Sequence, residues 1–265
     1  MRVAIGVTYD GAPFEGWQSQ PSRNTVQDRL EAALTAIAVR PLQATAAGRT
    51  DAGVHATGQV VHFDVEVERP ESAWVRGANA HLPEGIAIQW AREVDVEFHA
   101  RYSAASRSYA YVLYNHGVRP SVLARKVGWF HLPLDLERMR SAVRCILGEH
   151  DFSAFRSAEC QAKTPVRVIE RAAIDQRGDY ILFEFTANAF LHHMVRNLVG
   201  CLVYVGKGAH PPEWLADVLA GCDRARAAPT FGPEGLYLTR VNYPQRWNLP
   251  AFASMLPIFG ETVPR

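Results

Sequence analysis

Period-two hydrophobicity, alternating along the chain with segments of helical period, constrains this sequence most. Residues 2–9 place Val3, Ile5, Val7 and Tyr9 on one face, as a half-buried strand does. A glycine-containing turn over 10–20 leads to Thr25, a good N-cap. Val26, Leu30, Ala33, Leu34 and Ile37 then recur at helical spacing. Short strands follow at 42–47 and 59–65, then a helix opened by Pro70 that carries Trp74 and Ala78. A further strand is marked by Ile86, Ile88 and Trp90. The pattern then recurs. Residues 106–115 alternate; Leu136, Met139, Val143, Ile146 and Leu147 form a helical stripe; strands are expected near 166–174 and 180–186. A long helix is expected over 190–205, a short one over 212–219 and a last strand over 236–243. Strands interleaved with helices in both halves predict an α+β fold of two similar halves sharing a central, mostly antiparallel sheet. The expected boundaries are 1–104 and 105–245, with 246–265 a proline-bearing tail over the surface.

The 265 residues are 48% hydrophobic and 21% charged, enough to bury a sizeable core. No apolar run is long enough to span a bilayer, and the N-terminus does not read as a signal peptide, so the expected location is the cytoplasm. Four cysteines at 145, 160, 201 and 222 form no Cys-x-x-Cys pair and read as free thiols. The net charge of +1 argues for nothing, but its distribution does. No acid lies between Glu97 and Asp135, where Arg101, Arg107, Arg119, Arg125 and Lys126 stand, and none between Glu184 and Glu213. Between Glu31 and Asp64 the only acid is Asp51. Folded together, these segments would make a basic active-site cleft suited to a phosphate-rich partner; folded apart, they are ordinary solvated faces.

The segment Gly48–Gly58 lies between two expected strands and holds three glycines, which admit unusual backbone angles and close approach of a ligand. Asp51 sits within it, two residues after Arg49. Taken alone, an aspartate there is most often a turn former, and His55 and His62 are packing or loop histidines. Tyr109 in an aromatic strand and Arg196 on an apolar helix likewise have ordinary structural readings. The adjacent His192 and His193 would point to different faces of their helix and serve one metal poorly.

The run GRTDAGVHATGQVVHF, residues 48–63, resembles the signature of the TruA-type pseudouridine synthases. Tyr9-Asp10-Gly11, Gly16-Trp17-Gln18, Phe98-His99-Ala100-Arg101, Tyr109-Ala110-Tyr111, Asp151 to Arg156, Ala187 to Asn197 and Gly235 to Leu238 match it in order. The resemblance implies an isomerase that detaches uracil from C1′, turns it and rejoins it through C5, without metal or organic cofactor. Asp51, on the N-terminal half, is then the essential carboxylate. Arg49 is close enough in sequence to hold it ionised. Arg196 matches a basic partner of the aspartate, Tyr109 the tyrosine that stacks on the target base, and Leu236 an apolar wall beside it. The implied substrate is tRNA at uridines 38, 39 and 40 of the anticodon arm, and the implied assembly is a homodimer. Departures from the pattern, such as Ser108 and Ala110 beside the tyrosine, touch phosphate contacts and not the chemistry. Two rivals stand beside this reading: a non-catalytic tRNA-binding protein of the same fold, and a hydrolase of the N-glycosidic bond. The second would want two carboxylates where the Asp51 neighbourhood offers one.

Overall fold

The computed structural model of the chain describes residues 1–251, 255–256 and 260–261. It divides into two units, residues 1–105 with 237–265, and residues 106–236. Both combine strands and helices, as the α+β expectation requires.

In the first unit the alternating N-terminus is β1 (Arg2–Tyr9). Thr25 caps α1 (Val26–Ala38), its side chain accepting from the Asp28 N–H at 3.2 Å, and the helix buries Val26, Leu30, Ala33 and Leu34. After β2 (Thr45–Ala46) comes β3 (His55–Asp64), and after a π-helical turn at Ala73–Gly77 comes β4 (Ile86–Val94). β1 lies between β3 and β4, antiparallel to both, and β2 pairs with β3. Both flanking strands cover the edges of β1, so it is buried almost throughout.

The second unit contains β5 (Ser106–Asn115), β6 (Gly128–Phe130), α2 (Leu136–Val143), β7 (Gly148–Asp151), β8 (Val166–Arg177) and β9 (Tyr180–Ala187). α3 (Met194–Gly206) and α4 (Trp214–Gly221) complete it. The strands run in the order β5-β9-β8-β7, all antiparallel, with β6 parallel to β5. α3 is apolar all round and buries eleven of its thirteen residues, which makes it the core of this unit.

Several expectations change here. Helix α3 begins at Met194, four residues after Phe190, because His193 takes the left-handed conformation (φ 64°) within a turn that the Met194 N–H closes on the Leu191 carbonyl at 3.0 Å. His192 and His193 therefore precede the helix, and their rings approach to 4.1 Å instead of facing apart. The last strand, β10 (Leu236–Asn242), groups from Tyr237 onward with the N-terminal residues, not with the preceding ones. Tyr237 and Leu238 pair in parallel with His55 and Ala56 of β3. Gly58 permits this: a Cβ there would stand 2.1 Å from the Thr239 carbonyl oxygen. The segment after β10, expected as a surface tail, starts docked on the same unit. The Trp247 ring lies 5.3 Å from Phe98, and Asn248 accepts from Arg92 at 3.3 Å. Beyond it β11 (Met255–Leu256) pairs antiparallel with β12 (Gly260–Glu261).

All four cysteines are free, and burial pushes the Cys145 and Cys201 thiols up to about 11. His62, 5% exposed, accepts from the Ala100 N–H at 3.2 Å. Burial first, and then the Arg2 guanidinium, lowers it to about 4 from 6.5. Below pH 6.5 the unfolded chain takes up a proton that the folded chain refuses. The stability this histidine allows is thus whole above 6.5 and is lost as pH falls towards 4. That loss is at most about 3 kcal/mol. Melting temperatures measured between pH 7 and 4 should fall, and His62→Gln, which keeps an acceptor but cannot titrate, should flatten the profile.

Candidate active site

Residues 48–54 leave β2 and turn back into β3, presenting Asp51 half-buried and Arg49 exposed. The loop is fixed from beneath by polar groups that have no access to water. Tyr9, 5% exposed at the end of β1, places its hydroxyl 2.8 Å from Thr50 Oγ1. Gln59, fully buried on β3, donates from Nε2 to the Gly48 carbonyl at 2.7 Å and to Tyr9 Oη at 3.4 Å. Tyr9 Oη thus accepts from Gln59 and shares a second hydrogen bond with the Thr50 hydroxyl, in which either oxygen can donate. Burial pushes the Tyr9 phenol up to about 12, partly offset by the hydrogen bonds to Thr50 and Gln59, so it stays protonated across the working range. Gln59 Oε1 is buried with no partner among the described residues, at a cost of about 1–3 kcal/mol.

The first loop of the chain wraps the same turn. The Trp17 N–H donates to the Thr50 carbonyl at 2.9 Å, and the Val54 N–H closes the turn on the Asp51 carbonyl at 3.1 Å. Gly16 makes the approach possible: its φ is +86°, and a Cβ there would meet the Thr50 oxygen at 2.7 Å. On the far side of the turn His55 is buried. Its Nδ1 lies 3.1 Å from both the Gly11 N–H and Asp10 Oδ1, and its ring stacks on Tyr237 at 4.6 Å. The Tyr237 phenol is pushed up, by burial first and then by Asp10. His55 is thus the packing histidine that its loop position suggests, with the added task of holding β10 against β3.

Arg49 makes no hydrogen bond or ion pair with Asp51 among the described residues, although sequence proximity suggested one. The two side chains stand two residues apart on a turning backbone, and the longer one runs into solvent.

In the second unit the residues singled out from the sequence are also held firmly. Tyr109 is half-buried on β5, and its ring meets Phe190 edge-on at 5.0 Å and 80°. Arg196, in the first turn of α3, is half-buried and donates from Nε to the Phe231 carbonyl at 2.9 Å. The Phe231 N–H returns to the Arg196 carbonyl at 3.3 Å. Leu236 is buried at the start of β10, where its N–H bonds the Pro233 carbonyl at 2.9 Å. Segment 231–236 is therefore tied to α3 at one end, and to β5 through the Val112 N–H and the Gly235 carbonyl at 2.8 Å at the other. Behind Arg196, Asn197 is fully buried. It donates to the Phe155 carbonyl at 2.8 Å and accepts from Thr230 at 2.7 Å and Arg224 at 3.2 Å. A polar residue so completely paired in an apolar helix fixes the helix's rotation, and with it the direction of Arg196.

The sequence did not mark Tyr9, Thr50, Gln59 or Asn197 for these tasks. The one signal available was polarity at positions that alternation or helical period assigns to the core, as at Tyr9 and Asn197.

A family profile described as tRNA pseudouridine synthase matches residues 5–103 and 142–244. A protein of Paraburkholderia phymatum named tRNA pseudouridine synthase A is 59% identical over 250 residues, covering 94% of this chain and 94% of its own. One of Thiobacillus denitrificans with the same name is 58% identical over 257 residues, covering 97% of this chain and 99% of its own. With matches on this scale in both units, and the loop around Asp51 inside the matched region, the chain belongs to the tRNA pseudouridine synthase family.

Proposed function

We propose that Asp51 is the essential carboxylate for isomerising uridine to pseudouridine in tRNA, acting on positions 38, 39 and 40 of the anticodon arm. The observation that carries the assignment of Asp51 is its mounting. The segment leading into this half-buried carboxylate is pinned by a buried hydrogen bond at Thr50 and a partly buried one at Gly48, the pre-organisation that a reacting group requires. The choice of positions 38 to 40 rests on the resemblance of residues 48–63 and 98–101 to the TruA-type signature.

Tyr109 supplies a ring for the displaced base to stack on, and Leu236 an apolar wall. A base must leave its stack to be worked on, and both groups compensate for the contacts it gives up. Arg196 is the cation assigned to Asp51. The exposed Arg49 is better placed to meet an RNA phosphate. Arg101, Arg119 and Arg125 are also exposed within their acid-free stretch and suit a polyanion. The same reading includes a homodimer in the cytoplasm; among the described residues no helix is long and apolar enough to cross a membrane.

Incubating the protein with unmodified tRNA transcripts and mapping pseudouridine by base-resolution sequencing tests the assignment. Modification confined to 38, 39 and 40 is expected. Modification in another arm of the tRNA would overturn the choice of site, and release of free uracil would revive the hydrolase.

A further inference from the structure

We infer that Gln59 and Tyr9 are positioning residues that aim the Asp51 carboxylate, through one buried chain of hydrogen bonds running from Gln59 to Tyr9 to Thr50. The inference rests on Asp51 being the essential carboxylate.

The amide of Gln59 has one workable orientation. Turned over, its oxygen would face the Gly48 carbonyl oxygen, which would lose its donor. As it stands, Nε2 serves Gly48 and Tyr9, while Oε1 is left without a partner among the described residues in a fully buried place. An apolar side chain of the same volume would bury no orphaned Oε1, but it would take away the donor that holds the Gly48 carbonyl. What the glutamine gives in return is control of the loop. It grips the carbonyl three residues before Asp51. Through Tyr9 Oη it also reaches the hydroxyl of Thr50, the residue immediately before Asp51. Trp17 holds the Thr50 carbonyl from the other side, so two bonds fix the Thr50 peptide and side chain in direction as well as position. Asp51 follows directly from that fixed peptide. A carboxylate that swings by about 1 Å loses on the order of a hundredfold in rate, so the polar chain acts on turnover without touching substrate.

The inference predicts that stability and activity separate. Gln59→Met keeps the volume and removes the orphaned acceptor. One unpaired acceptor, Gln59 Oε1, is exchanged for another, the Gly48 carbonyl, so the variant's melting temperature should stay near that of the parent protein and its tRNA affinity should be unchanged, while the single-turnover rate at saturating enzyme falls by at least about tenfold. Tyr9→Phe removes one oxygen and should lower the same rate. The two changes together should cost less than the product of their separate effects, because they break one chain. Thr50→Val, close in shape and without the hydroxyl, should also slow turnover, and Thr50→Ser should recover most of the rate that valine loses. Parental rates in both Gln59→Met and Tyr9→Phe would overturn the inference. So would rate losses that follow a fall in melting temperature, which would make the network merely structural. If Gln59→Met does not fold, Tyr9→Phe and the Thr50 pair decide by the same criteria. Asp51→Asn assayed alongside separates the two failures: turnover by that variant would remove the reading of Asp51 itself, whatever Gln59 does.

Discussion

Asp51→Asn is expected to abolish pseudouridine formation, with a loss of at least about a thousandfold, while tRNA affinity and melting temperature stay near those of the parent protein. Asparagine matches aspartate in shape and cannot ionise. The bonds that hold the turn use the Gly48 and Thr50 carbonyls, the Thr50 hydroxyl and the Asp51 main-chain oxygen, and all survive the change. The fold of the loop should therefore persist with its chemistry removed. Single-turnover assays with trapped intermediates, beside a filter-binding curve, measure both halves of the expectation. Turnover at the parental rate would take the essential role away from Asp51.

Tyr109 carries the second large effect, and two substitutions divide it. Tyr109→Phe keeps the ring and its edge-on contact with Phe190, and loses only the hydroxyl. Binding should survive, and turnover should drop by at least about tenfold, equivalent to about 1.4 kcal/mol of barrier. Tyr109→Ala also removes the stacking surface, worth about 1–3 kcal/mol per base, and should fall further in both binding and rate. Equal losses in the two variants would place the whole role in the hydroxyl. Full activity in Tyr109→Phe would leave stacking as the whole role.

Local pattern sufficed wherever local forces decide the outcome. Alternation placed β1 and β5, and the Thr25 cap with its apolar stripe placed α1, because strand pleat and helix pitch are imprinted on consecutive residues. It missed β6 and β7, which are three and four residues long and owe their strand geometry to the partners β5 and β8. It began α3 too early because a left-handed His193 carries no signature in composition. At the site, the motif drew attention to Asp51, and the fold explains its setting. Tyr9, Thr50 and Gln59 meet because β1 and β3 pair in a register that sets Val7 opposite Gln59. That coincidence cannot be read from residues 9, 50 and 59 separately. Arg49 illustrates the converse: two residues from Asp51 in sequence, it is exposed on a turning backbone, and sequence spacing alone does not say where its side chain points.

The pairing of β10 with β3 bears on the order in which the molecule can be made. The unit that carries Asp51 is closed by a strand about 180 residues downstream of the loop's own exit into β3, with the whole second unit encoded between them. At roughly 5–20 residues per second, a ribosome takes on the order of ten to forty seconds to cover that distance. During that time β3 has an open edge at His55 and Ala56, and the buried face that Tyr237 will cover is bare. Folding of the N-terminal unit is then a matter of long-range closure, and its rate is governed by the slow search that such contacts impose. A nascent chain that stalls within the second unit carries every residue of the Asp51 loop and lacks the strand that seals it. Closure of the β3 edge at His55 and Ala56 therefore waits for synthesis of the whole second unit.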